Sequence, residues 1–312
     1  MKYLGVLLLL LWAYSPAWST RHVYEDSTWL RAEARGPIVR SLTRMSWVVI
    51  DSPRGAHLLS LLLHVINGVL LWVLVQRVGL SAVVAFAATS LWLVHPLNVE
   101  SVAYAASRGE LLAAMGVLGA CIIVAGNTTW SWLTVVSLGI CLLFGIAGKE
   151  SAVIMLGLVP LTSWWMGGRH THRITLVCAA VGLFGLWSVG VNIGEEVAVR
   201  MTWLPWLLIQ SAATLRLTGL AFLVGIQTPD FDYYRIYTLL GWLSVGVLLL
   251  LAAVSGRLAW VRHPISYGLL WFLIAIMPRL IIQTPKSVFN EHQFYVPFMG
   301  LILAAAGIRR EA

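Results

Sequence analysis

The sequence predicts an all-α polytopic membrane protein: a bundle of about ten transmembrane helices, with one further outer-face helix that is interfacial or re-entrant. Three observations carry this. Mean hydropathy is +0.84, and 59% of the residues are hydrophobic against 11% charged. Apolar runs of about 20 residues, the length that crosses a ~30 Å hydrocarbon core, recur from end to end. Sixteen Trp and nine Tyr supply rings with an apolar body and a polar tip, suited to the membrane–water boundary. Lipid is then the solvent for most of the chain, and spanning helices satisfy their own backbone hydrogen bonds. Residues 1–312 read as a single integral membrane domain, without a soluble domain, a low-complexity tract or a tandem repeat.

The apolar segments fall near 3–19, 55–77, 80–96, 109–126, 130–147, 151–167, 173–192, 203–225, 237–256, 264–283 and 294–308. The first, in "MKYLGVLLLLLWAYSPAWST", reads as an uncleaved anchor; its Lys, apolar core and small-residue "AWS" site also fit a secretory signal. Lys and Arg in short loops set the sidedness. With Lys2 inside, 20–54 is outside, Arg77 inside, 95–100 outside, 127–129 inside, 148–150 outside and 167–173 inside. The basic stretches at 256–263 and 307–312 belong inside as well, which leaves 226–236 and 284–293 outside. Eleven crossings cannot put both termini inside, so one segment does not cross. Segment 203–225 is the choice, because Gln210, Ser211, Thr214, Arg216 and Thr218 occupy its middle. A charge at the bilayer centre costs ~2.5–3.5 kcal/mol or more. A helix lying along the outer interface, or bordering a cavity, avoids that cost.

This topology leaves Arg21, Arg31, Arg35, Arg40, Arg44, Arg54, Arg108, Lys149, Arg200, Arg235, Arg279 and Lys286 outside. The positive-inside rule expects few cations there, so an external anion such as a phosphate is the functional explanation. The formal charge of +8 does not point to nucleic acid, because no basic, aromatic-interleaved soluble face carries it. Cys121, Cys141 and Cys178 lie in apolar runs without metal-ligand spacing and read as small buried hydrophobes.

Four polar interruptions share the outer face. The first is the loop 20–54, with Glu25, Asp26, Arg40 and Arg44. The second is "LVHPLNVESVAYAASRGELL" at 93–112, where Glu100 and Arg108, eight apart on one helix, share a face beside His95. The third is "AGKESAV" at 147–153, with Lys149 and Glu150; the fourth is "TPKSVFNEHQFYVPFMG" at 284–300, with Lys286, Glu291, His292 and Tyr295. Each alone reads equally as an ion pair that anchors a helix end. Together they suggest a polar site walled by helices. Asp230 and Asp232 form a DxD-like pair, and His57 and His64 share a helix face, where packed, hydrogen-bonded histidines are the simpler reading.

These motifs resemble the GT-C glycosyltransferases, specifically the transmembrane part of the membrane-and-TPR O-mannosyltransferases and their bacterial relatives. "YEDS" matches the paired acid of the first external loop through Glu25 and Asp26, and "RSLTRMSW" matches an Arg-Pro-Leu-Thr stretch through Arg40. "AHLLSLLLHVIN" matches a helix with His57, His64 and Asn67, and "HPLNVESVAYAASRGELL" matches its successor through His95, Glu100 and Arg108. A Lys-Glu pair opening a helix that runs to Pro corresponds to Lys149, Glu150 and Pro160, and "EHQFYVPFMG" matches the last motif through Glu291, Tyr295, Pro297 and Gly300. The six motifs keep the family's order over residues 24–300. Glu25 replaces the first Asp of the pair, Ser41 the Pro after Arg40, and His292 the Arg after Glu291. The C-terminal TPR repeats are expected to be absent, since the sequence stops at Ala312 soon after its last apolar segment.

The resemblance implies transfer of a mannose-like sugar from a polyprenyl-phosphate donor to a hydroxyl on a protein or glycan acceptor. It places the site on the external or periplasmic face of a bacterial plasma (inner) membrane. The residue types suit that chemistry. A carboxylate beside the acceptor hydroxyl takes its proton as the new bond forms; Asp26 is the candidate base, with Glu25 next. Fixed cations stabilise the departing prenyl phosphate; Arg40, Arg108 and Lys149 are the candidates, each reading equally as a structural ion pair. Glu100 is expected to orient Arg108, with His95, Glu150, Glu291 and Tyr295 as supports; Tyr295 closes a donor pocket or anchors at the interface. A lipid-linked donor needs no metal, so no cofactor is assigned; a divalent cation is compatible, but no ligand set stands out. The competing expectation is a catalytically retired subunit with a structural or assembly role beside other subunits of a membrane complex. A transporter is disfavoured, because the two halves do not repeat and the charges cluster on one face.

Overall fold

The computed structural model describes residues 2–15, 40–50, 52–126, 130–190, 202–223, 237–281 and 290–308. Among them the chain is all-helical. In order the helices are α1 (Lys2–Ala13), α2 (Ser41–Val49), α3 (Pro53–Arg77), α4 (Ala82–Val94), α5 (Val99–Ala103), α6 (Arg108–Gly126), α7 (Trp132–Gly148), α8 (Met155–Trp165) and α9 (Thr171–Gly190). After these come α10 (Trp203–Ala221), α11 (Tyr237–Trp260), α12 (Pro264–Ile281) and α13 (Tyr295–Gly307). Short 3-10 turns cover Pro96–Asn98, Ala105–Ser107, Glu150–Ile154 and Glu291–Phe294. Every expected apolar segment holds a helix; α2 and α5 are additional and lie in stretches read as polar. The chain divides into two compact units, 1–192 and 193–312.

The expected ten spans are not what the helix lengths give. Among the described residues, α3, α6, Leu239–Trp260 of α11 and α12 are long and apolar enough to cross a membrane. A fifth span is added if Ala82–Val94 and Pro96–Ala103, bent by 56°, count as one. Part of the difference is reach: the apolar stretches Trp132–Gly148 and Thr171–Phe184 are shorter, and a helix rises only about 1.5 Å per residue; α10 is as long as α6 but carries Gln210, Thr214 and Arg216. α8, with 11 residues, also runs past Pro160 rather than ending at it.

In the 1–192 unit, α3 and α6 run parallel. Arg108, opening α6, donates to the Ala56 carbonyl near the start of α3, and Arg77, ending α3, donates to the Ile122 carbonyl near the end of α6 at 2.8 Å. α7 returns antiparallel against α6 at close range. A Cβ on Gly116 would lie 2.6 Å from the Cys141 carbonyl oxygen, and one on Gly148 would lie 2.7 Å from Leu112 Cβ. The unit therefore has two ends. One gathers 40–50, 52–56, 95–110 and 148–151; the other carries Arg77, with Trp130 facing His170 at 6.0 Å between ring centroids. This grouping matches the alternation that the Lys and Arg pattern gives for these loops.

The bend after α4 follows from Pro96. Proline has no N–H, so the Trp92 carbonyl loses its helical donor. Asn98 Nδ2 supplies one at 2.6 Å. His64 Nε2 serves the next carbonyl, Leu93, at 2.9 Å. A carbonyl only accepts, so this nitrogen carries the proton. Asn67 Nδ2 donates to the Leu111 carbonyl at 2.9 Å. These side chains pin α3 to α4 and α6 inside an apolar unit, where an unmet carbonyl is costly.

In the 193–312 unit, α12 and α13 pack antiparallel with backbones nearly touching. A Cβ on Gly268 would sit 2.1 Å from Ala304 N, and one on Gly300 would sit 2.5 Å from Phe272 N. Trp271 Nε1 donates to the Val296 carbonyl at 3.1 Å, and Trp206 Nε1 on α10 donates to the Arg279 carbonyl at 3.2 Å. Gln210, Ser211 and Thr214 on α10 are fully buried, so protein rather than the membrane interface shelters its polar residues.

Candidate functional site at the polar end of the 1–192 unit

Three of the four polar interruptions meet at one end of this unit. α2 supplies the first. Arg40 precedes it with φ 62°, a left-handed conformation that a side chain with a Cβ rarely adopts. Its guanidinium forks onto Glu150: Nε donates to Oε2 at 2.7 Å, and a terminal nitrogen donates to Oε1. This bidentate arrangement offsets the backbone strain. Thr43 Oγ1 donates to the Gly148 carbonyl at 2.7 Å, tying α2 to the end of α7.

Arg108 fills the second position. It is fully buried. One terminal nitrogen donates to Ser46 Oγ at 2.8 Å, the other to the Ala56 carbonyl at 3.1 Å, and Nε makes a longer 3.4 Å contact with Ser60 Oγ. Its guanidinium carbon lies 4.7 Å from the centre of the Trp47 ring, a cation–π contact strengthened by exclusion of water. Arg108 thus clamps α2 onto α3. The expectation that it shares a helix with Glu100 is corrected: α5 ends at Tyr104, whose φ of −84° and ψ of 103° are extended, and Arg108 opens a new helix.

The break between α7 and α8 supplies the third. Lys149 is extended at φ −161° and ψ 151°, so Lys149 and Glu150 serve different neighbours. Lys149 Nζ lies 2.9 Å from Glu110 Oε1, and Ser151 Oγ donates to Glu110 Oε2 at 2.6 Å. Burial acts to raise the pKa of Glu150. The Arg40 hydrogen bonds and charge, together with the Lys149 charge, overcome it and hold the carboxyl at about 2. Burial, followed by the neighbouring Arg40 charge, draws Arg44 below the usual guanidinium value. Among the described residues at this end, Arg40, Arg44, Arg54, Arg108 and Lys149 stand against Glu100, Glu110 and Glu150, so the set is net cationic.

His95 is buried and caps the turn at 96–98, its Nδ1 accepting from the Leu97 N–H at 3.2 Å. Glu100 is half-buried on α5. Glu291 and Tyr295 belong to the other unit. Glu291 is buried, with Oε1 4.0 Å from Arg216 NH1. This ion pair meets the charge that argued against a crossing by 203–225. Tyr295 is 1% exposed, which corrects its reading as an interfacial anchor. Glu25 and Asp26 lie outside the described residues, as do Asp230, Asp232 and Lys286. Among the described residues no group of three or more His, Cys, Asp or Glu is placed to hold a metal ion. Sequence reasoning missed Glu110, Ser151, Ser46 and Trp47 as partners, because each meets its cation far along the chain and no local spacing marks the pairing.

The fold and the site define a class: an all-helical protein whose long apolar helices fit an integral membrane location, with a net cationic polar cluster at one end of its first unit. Comparisons with protein-family models, curated proteins and solved structures each find no match to the chain.

Proposed function

We propose that the protein is a GT-C-like membrane glycosyltransferase. It moves a mannose-like sugar from a polyprenyl-phosphate donor to a hydroxyl on a protein or glycan acceptor. It acts on the non-cytoplasmic, periplasmic face of a bacterial plasma membrane. The observation that carries this reading is the convergence of "RSLTRMSW", "SRGELL" and "GKES", far apart in sequence, into one cationic cluster at a helix-bundle end. A prenyl phosphate gains charge as its glycosidic bond breaks, and fixed cations at a low-dielectric boundary favour that charge. Arg40 and Lys149 are the donor-phosphate ligands. Arg108, fully enclosed, supports the site by holding α2. Asp26, ahead of Arg40 in the same loop, takes the acceptor proton, with Glu25 beside it.

One observation favours a second reading. Arg40 is already engaged by Glu150, Lys149 by Glu110, and Arg108 by serine, carbonyl and indole. A cluster so paired also suits a retired subunit that assembles with other membrane proteins. The test is reconstitution in liposomes with polyprenyl-phosphomannose and hydroxyl acceptors, comparing wild type with Asp26→Asn and Arg40→Met. Transfer by wild type, lost about 100-fold or more in Asp26→Asn, is the expected result. Transfer that survives Asp26→Asn removes Asp26 as base. No transfer across a panel of lipid-linked sugars leaves the assembly reading.

A further inference from the structure

We infer that Glu110 is a positioning residue that fixes the Lys149 ammonium at the polar end of the 1–192 unit. The inference rests on the transfer reading, in which Lys149 meets the donor phosphate.

The geometry begins with two glycines. A Cβ on Gly109 would lie 3.2 Å from the Gly148 carbonyl oxygen and 3.4 Å from Lys149 Cβ. Their absence of side chains lets the first turn of α6 press against the last turn of α7. That approach delivers the next residue, Glu110, to the break at Lys149. Glu110 is only 4% exposed, yet each of its oxygens has a partner: Lys149 Nζ at 2.9 Å on Oε1, and Ser151 Oγ at 2.6 Å on Oε2. A buried carboxylate keeps its charge only when it is paired and hydrogen-bonded. It also sits in the first turn of a helix, where the backbone dipole favours an anion.

Lysine needs this support. Its ammonium rides on four flexible methylenes and searches many rotamers when free. The ammonium has three donors, and Glu110 accounts for one direction. With that direction fixed, the Lys149 side chain remains 16% exposed and so is not fully enclosed as Arg108 is. The adjacent Glu150 turns the other way and engages Arg40. The two cations are therefore set by two different carboxylates. Glu110 acts on the donor only through Lys149; it does not touch it.

The test uses the full chain in liposomes with undecaprenyl-phosphomannose as donor. Glu110→Gln keeps the shape and removes the charge. It is expected to raise the donor KM by about 10- to 100-fold with kcat nearly unchanged, the scale of a lost charge-assisted hydrogen bond. Glu110→Asp recovers part of that loss. A second readout is independent of transfer: acylation of the Lys149 amine in the folded protein, followed by mass spectrometry, speeds up several-fold in Glu110→Gln. Size-exclusion profiles count the folded fraction. If Glu110→Gln does not fold, Ser151→Ala loosens Oε2 alone and is expected to shift KM and labelling in the same direction, by less. A wild-type donor KM together with wild-type labelling in these variants overturns the inference and leaves the transfer reading standing. A wild type that neither transfers from this donor nor binds undecaprenyl phosphate overturns the transfer reading and this inference with it.

Discussion

Replacing Glu150 by Gln removes the anion under the Arg40 fork while keeping its shape, and acid does the same to wild type. The carboxyl sits at about 2 in the folded protein against an ordinary 4.5. At about 1.4 kcal/mol per pH unit, this corresponds to about 3 kcal/mol. The Glu150 side chain is 40% exposed, and solvent screening reduces the figure to about 1–2 kcal/mol. The sign follows from the depressed value: the stabilisation is complete above about pH 4.5 and is lost as pH falls towards 2. The assay is thermal unfolding in detergent, followed by intrinsic Trp fluorescence, at steps from pH 7 to pH 2.5. At pH 7 wild type is expected to exceed Glu150→Gln by about 1–2 kcal/mol. The gap narrows through the window below pH 4.5 and closes near 2. An Arg40→Met background shrinks the gap, because only the Lys149 charge then favours the carboxylate. A gap that stays constant down to pH 2.5, or that is undiminished without Arg40, refutes the reasoning.

Two further outcomes follow from enclosed groups. Arg108→Leu is expected to cost about 2–4 kcal/mol in thermal stability, since Ser46 and the Ala56 carbonyl lose a charged donor; Arg108→Lys keeps the charge but not the fork and falls between. An Arg108→Lys protein of unchanged stability and raised donor KM would return Arg108 to the phosphate ligands. Gly268→Ala drives a Cβ to 2.1 Å from the Ala304 nitrogen, so α12 and α13 must separate, at about 1–3 kcal/mol or more; an unshifted melting midpoint contradicts that packing.

The fold was legible where one physical rule dominates. Runs such as 55–77 and 264–283 are apolar for a full turn-by-turn span, and each became a helix of nearly that extent. Their number as spans was not legible, because hydropathy marks an apolar segment without fixing where its helix ends. α7 stops at Gly148, where Lys149 turns extended, and α4 breaks at Pro96. The site was half legible. Arg40, Arg108, Lys149 and Glu150 stood out as charges in an apolar chain, and the structure gathers all four at one end. Their setting did not follow: Glu100 and Arg108 read as eight residues apart on one helix face, but the chain breaks between them.

By itself, the sequence determined the apolar character of most segments, the order of its helices and the positions of its rare charges. Those follow from composition and local periodicity, which act over a few residues. Only the tertiary structure decided which charge faces which. Ionic partners meet across loops and helix ends, and the distance between them depends on glycine-to-glycine approach and on where each helix stops. Gly109 against Gly148 brings Glu110 to Lys149, and the left-handed turn at Arg40 brings its fork to Glu150. A guanidinium enclosed by Trp47 and Ser46 and a lysine side chain left partly exposed look alike in a sequence. Burial alone separates them, and burial is a property of the packed bundle.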